Sequence, residues 1–183
     1  MKITVVRSSR RTIGVEVNKG QVLIRSPRFA TQAQIRTVVE KNRDWIEAQI
    51  QKQAELSEKM RQLPPLSEAE RKALIVEARA YIPGRVAYYA DLLSVSYGRI
   101  TLRCQKTKWG SCSSQGNLNF NWLLMLAPAE VIDSVVVHEL CHRKVMNHSG
   151  DFYELLHRVF PRYDECARWL REHGAELQYR AGQ

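Results

Sequence analysis

Residues 128–142, Pro-Ala-Glu-Val-Ile-Asp-Ser-Val-Val-Val-His138-Glu139-Leu-Cys-His142, decide how the chain is read. Pro128 opens a helix-forming run, and Val131, Ile132, Val135, Val136, Val137 and Leu140 make that helix apolar enough to be buried. Side chains four apart stand one turn above each other, so His138 and His142 share one helix face. Glu139 sits beside that face. Polar groups buried without partners cost on the order of several kcal/mol, so this trio needs an explanation. A hydrogen-bonded buried pair would supply one, and a shared metal ion would supply another.

The pattern H-E-x-x-H favours the metal. Two imidazoles one turn apart grip one ion, and the adjacent carboxylate is placed to take a proton from water held there. Hydrolytic metal centres take three protein ligands and keep a fourth position open. His148 is the nearest third ligand, six residues past His142, and an unbroken helix would rotate it away from the pair. The chain must therefore turn. Asn147 tolerates a left-handed conformation and Gly150 adds freedom, after which Ser149 or Asp151 caps a helix over residues 152–160. In that scheme Asp151 and Glu154 form an Asx variant of the capping box. An acid from a following helix is the alternative ligand, with Glu154, Asp164 and Glu165 available. His157 and His173 read as ordinary helix-surface histidines.

Upstream, residues 2–6, 12–18 and 21–25 alternate apolar and polar side chains, and Asn18-Lys19-Gly20 supplies a hairpin turn, which together predict a β-meander. Residues 31–61 carry an apolar stripe (Ile35, Val38, Val39, Trp45, Ile46, Ile50) and predict one long helix. Leu63-Pro64-Pro65-Leu66 breaks it. Ser67 and Glu70 make a capping box for a further helix reaching about Leu93, which Pro83-Gly84 kinks or ends early. Residues 100–103 and 117–122 read as strands separated by a Gly-Ser-rich segment.

Three groups of residues, Lys108-Trp109-Gly110-Ser111-Cys112-Ser113, Gly116-Asn117-Leu118-Asn119-Phe120-Asn121, and His138-Glu139-Leu140-Cys141-His142 with Asn147-His148-Ser149 and Phe152, resemble the YgjP-like metallopeptidase domain. That family is related in motif to the SprT and WLM metallopeptidases. The likeness reaches the N-terminal strands and helices and so covers most of the chain. Cys141 departs mildly, since a small residue is common there. The resemblance implies an α+β fold whose catalytic part is zincin-like, with a small sheet and a metal-binding helix. It implies one Zn²⁺ held by His138, His142 and His148, Glu139 as general base, and a protein or peptide substrate. The expected organisation is a single domain over 1–183, with N-terminal strands and helices in 1–96 and the metal site in 97–183.

Trp109, Gly110 and Ser111 have two compatible roles. Trp109 anchors a hairpin and Gly110 gives a tight bend, while a strand from this segment can also hold an extended substrate along its edge. Ser111 and Ser113 lack the G-x-S-x-G elbow, which argues against a serine nucleophile. Tyr153, just after His148, is the nearest candidate to stabilise an oxyanion.

The chain has 183 residues and is 44% hydrophobic, enough for a substantial core. No run approaches a membrane span, and residues 1–9 lack the apolar core of a signal peptide, so a cytoplasmic protein with no membrane partner is expected. Cys104, Cys112, Cys141 and Cys166 form no C-x-x-C pair and read as reduced thiols. A net charge of +9 reads first as a solvated basic surface and leaves nucleic acid open as a partner. Arg7, Arg10 and Arg11 gather near one turn, and Arg158, Arg162, Arg168, Arg171 and Arg180 stud the C-terminal segment. The competing function is a zinc-stabilised binding module without catalysis, held to nucleic acid by this charge.

Overall fold

The computed structural model describes residues 3–18 and 20–182. The chain forms two compact units, Met1–Leu63 and Pro64–Gln183, and its architecture is α+β as expected. No helix among the described residues is long and apolar enough to cross a membrane.

In the first unit, β1 (Ile3–Ser8), β2 (Gly14–Asn18) and β3 (Gln21–Pro27) form one sheet. The three strands fall where alternation placed them, but their order is β1-β3-β2, not that of a meander. β2 and β3 make the expected antiparallel hairpin, while β1 crosses to the far side of β3 and pairs with it in parallel. Lys19 of the expected turn lies outside the described residues; Gly20 has φ +72°, the conformation such turns reserve for glycine. The order follows from burial. Val22 and Ile24 of β3 are fully buried and need cover on both sides, whereas β1 is exposed along most of its length.

Helices α1 (Gln32–Lys41) and α2 (Arg43–Gln62) bring Ile35 and Ile46 onto Val22 and Ile24. The expected single helix is thus two. Asn42 separates them, its side-chain amide donating to the Val38 carbonyl at 2.7 Å, a local bond that competes with the helical ladder. Thr31 and Gln34 cap α1 with a reciprocal box that the sequence reading did not single out.

The second unit is built on α3 (Glu68–Leu93), capped by the expected Ser67–Glu70 box. Pro83 neither ends this helix nor shortens it. An interior proline costs about 3 kcal/mol, but Ala78, Ile82 and Val86 are all fully buried here, and packing outweighs the local penalty. A second sheet contains β4 (Ile100–Arg103), β5 (Gly110–Cys112) and β6 (Leu118–Asn121) in the order β4-β6-β5. Again the strand with the buried residues, Leu118 and Phe120, is central. β4 runs parallel to it and β5 antiparallel at the edge. The chain at 122–126 turns as a short 3-10 helix rather than continuing the strand.

Helix α4 (Ala129–Cys141) packs between α3 and β5, followed by α5 (Gly150–Val159) and α6 (Tyr163–Arg180). Its buried Asp133 accepts two hydrogen bonds from Arg85 of α3, both at 2.7 Å, and a third from Tyr89 at 3.2 Å. This fork pins α4 one turn ahead of the residues with chemistry on them. All four cysteines are free.

Candidate metal centre

His138 lies in the last turn of α4, and His142 is the residue that caps it. Beyond His142 the chain coils through Arg143, Lys144 and Val145, whose amides donate to Leu140 and Cys141 carbonyls. His148 then arrives beside the other two imidazoles before α5 begins. The turn is made without the expected left-handed residue: among the described non-glycine residues only Ser94 has positive φ, and Gly150 is the first residue of α5. Ser149 occupies the N-cap position but its side chain makes no capping bond, and no Asp151–Glu154 box forms. The coiled turn alone spans the distance.

Ligand nitrogens of His138, His142 and His148 all lie within 4.8 Å of one another. Nε2 of His138 and Nε2 of His148 are 3.1 Å apart. The other ring nitrogens of the two helix residues are occupied: Nδ1 of His142 faces the Val145 carbonyl at 3.1 Å, and Nδ1 of His138 faces Tyr163 Oη at 3.0 Å. Each contact fixes a ring and leaves Nε2 for the cluster. Such outer hydrogen bonds are the usual means of orienting metal-binding imidazoles. Phe152 of α5, fully buried, backs all three rings at centroid distances of 5.0, 4.7 and 4.9 Å.

The donor set suits a metal. Burial, and then the neighbouring His142 and His148, push the His138 pKa down to about 4, so its ring is neutral and offers a lone pair at neutral pH. The 3.1 Å between the His138 and His148 nitrogens is compatible with one small ion bound at about 2.0–2.1 Å by each. The three acids held in reserve as ligands are engaged elsewhere. Glu154 pairs with Arg158, Glu165 with Arg162, and Asp164 with His157. His173 stacks on Trp169 with ring planes 2° apart.

Glu139 points from the same turn of α4 toward β5. Burial pushes its carboxyl up to about 8, against the opposing pull of Lys108 and the Cys112 backbone N–H. Gly110 is what lets it fit: a side chain at residue 110 would begin 2.6 Å from Glu139 Oε1. Trp109, Gly110, His138, Glu139 and Tyr163 line one cleft of about 440 Å³, with Val135 and Leu170 as apolar wall and Lys108 and Arg171 as cations. Of the segment expected to contact substrate, Trp109 and Gly110 therefore face the cleft. Ser111 does not line it; its hydroxyl accepts from the Asn119 side chain at 3.2 Å. Tyr153 is exposed, with its ring 6.3 Å from that of His148.

Two residues of the site have no role that the sequence assigns, although Asn121 closes one of the stretches that carry the resemblance. Tyr163 lies 25 positions from His138, where no spacing rule reaches. Asn121 is fully buried, and its amide nitrogen donates to the Gln105 and Lys108 carbonyls, at 2.9 and 3.4 Å, while its backbone N–H donates to Trp109. It shapes the loop that delivers Lys108, Trp109 and Gly110.

An α+β unit with three converging imidazoles and a buried carboxyl on one helix has the form of a metal-dependent hydrolase. A protein-family model for the YgjP-like metallopeptidase domain matches residues 66–173, and the chain belongs to that family. None of the curated proteins matches it. Among solved structures, the metallopeptidase zymogen of Pyrococcus abyssi, abylysin, is similar at 21% identity and a TM-score of 0.45, over 50% of this chain and 93% of that one. The metallopeptidase zymogen of Methanocaldococcus jannaschii, jannalysin, is similar at 23% identity and the same TM-score, over 50% of this chain and 94% of that one.

Proposed function

We propose that the chain is a zinc-dependent peptidase in which His138, His142 and His148 hold one Zn²⁺ and Glu139 is the general base. The observation behind this is the convergence of three imidazoles, two of them with Nδ1 already engaged, beside a carboxyl that a bare glycine lets into the cleft. Zinc suits a cluster of neutral imidazoles, and when bound it supplies Lewis-acid polarisation and an activated water. Glu139 takes the proton from the attacking water and carries it to the leaving amine. Lys108, a cation in the same cleft, opposes the burial that raises the carboxyl and so favours the ionised form which that first step needs.

Tyr163 replaces Tyr153 as the oxyanion donor in this reading. Burial pushes its phenol up to about 12, so it stays protonated. Its oxygen accepts from His138 Nδ1–H, which leaves the phenolic hydrogen for an oxygen in the cleft. The substrate is an extended protein or peptide segment, laid along the edge strand β5 with one side chain between Trp109 and Leu170. The whole chain, 1–183, works as one metallopeptidase domain, with the chemistry in residues 97–183. A cleft open beside Glu139 favours catalysis over the binding-module alternative, because a purely structural zinc has no use for one.

The test is hydrolysis of an unfolded protein by zinc-loaded wild type and Glu139→Gln. Wild type should cleave, and the variant should keep its zinc and lose turnover. A fully active variant would remove Glu139 from the mechanism.

A further inference from the structure

The charge of the molecule is unevenly distributed. Residues 1–63 carry thirteen cations and six acids, against fifteen and thirteen in residues 64–183. Within the first unit the excess lies in residues 1–36, with eight cations and one acid.

Topology concentrates it further. β1 is parallel to β3 with Ser8 opposite Pro27, and β2 is antiparallel to β3 with Gly14 opposite Arg25. The ends of β1 and β3 and the start of β2 therefore lie at one end of the sheet. Arg7, Arg10, Arg11, Arg25 and Arg28 all fall there. The one acid, Glu16, already pairs with Arg25 at 3.1 Å. Arg10, Arg11 and Arg28 make no ion pair among the described residues, and the buried Nε of Arg10 has no hydrogen-bond partner among them. The display is also held in place. Arg7 donates to the carbonyls of Arg28 and Ala30, both at 2.8 Å, so the loop between them is tied to the end of β1. Between those two carbonyls Phe29 stands 79% exposed, an aromatic ring in water beside a cluster of guanidinium groups.

We propose that this arginine end of the N-terminal sheet binds the backbone of a single-stranded nucleic acid. Guanidinium forks match phosphate oxygens in pairs, and an exposed aromatic ring offers a base a stacking surface without sequence preference. Clustered cations that far outnumber acids are what release of condensed counterions rewards. The inference rests on the first unit alone and needs nothing of the metal reading.

The experiment is fluorescence anisotropy of a labelled oligothymidylate with the full chain across a salt series, beside a duplex and phosphatidylserine vesicles. The logarithm of the affinity should fall linearly with the logarithm of salt. The variant R10A/R11A/R28A should bind roughly tenfold or more weakly, with a salt slope shallower by about 2, at about 0.7 per phosphate contact. Phe29→Ala should weaken the single strand and leave the slope unchanged. Should the triple variant lose its far-ultraviolet circular dichroism, R11Q/R28Q, which alters only exposed side chains, should give a slope shallower by about 1.4. Wild-type binding that is absent, or equal in the charge variants, overturns the proposal. So does a preference for duplex with Phe29→Ala silent, or capture by the vesicles alone.

Discussion

The phenolic oxygen of Tyr163 sits 3.0 Å from Nδ1 of His138, and both residues line the cleft that holds Glu139. The two rings are nearly parallel, 16° apart. A metal-binding imidazole oriented by one such hydrogen bond depends on it for both ring angle and basicity.

Tyr163→Phe keeps the ring and deletes the acceptor. Zinc affinity should fall about 10–100-fold, the range for lost outer partners of metal ligands. Competition with a chromogenic chelator measures it. Turnover at saturating zinc should fall as well, because the cleft loses a donor. Unchanged affinity and unchanged turnover together would show the contact to be incidental.

Gly110 and Glu139 make a second dependent pair. A Cβ at residue 110 would meet Glu139 Oε1 at 2.6 Å and its Cγ at 2.7 Å, so the buried side chain must shift to admit it. Gly110→Ala should cut turnover by about a hundredfold, the scale associated with roughly 1 Å of misplacement. Zinc content should stay the same. Wild-type turnover in this variant would mean that the carboxyl position is not critical.

Burial of Glu139 also sets a pH dependence in the metal-free protein. Its carboxyl rises from an ordinary 4.5 to about 8 on folding, so the folded chain holds a proton that the unfolded chain releases. The contribution of this carboxyl to stability is therefore fully present below about pH 4.5 and is lost as pH climbs through 8. Glu139→Gln removes that decline. At pH 9 the variant should outlast metal-free wild type by on the order of a few kcal/mol, with no advantage at pH 4. Denaturant titration at the two pH values reads the difference directly, and equal gains at both would contradict the assignment.

How much of this the sequence discloses depends on whether the governing interaction is local. His138, Glu139 and His142 were legible because helical geometry alone sets their relation, and His148 because the chain had only to turn back. The means of turning was not legible: Asn147 suggested a left-handed residue, and successive amide bonds to Leu140 and Cys141 did the work instead. Alternation located β1, β2 and β3 but was silent on strand order, which depends on which strand carries the buried residues and so takes a neighbour at each edge. Asn42 broke a helix because its side chain captured a carbonyl, and Pro83 failed to break one because Ile82 and Val86 are locked into the core. Tyr163 and Asn121 act across 25 and 13–16 residues, distances at which no pattern in a single sequence points to a partner.

The central claim is that three imidazoles share one ion. Protein stripped with chelator and then titrated with zinc by calorimetry should bind about one equivalent per chain. His148→Ala should weaken that binding severely while leaving the fold intact. Undiminished one-to-one binding in His148→Ala, or none in the wild type, would contradict the account.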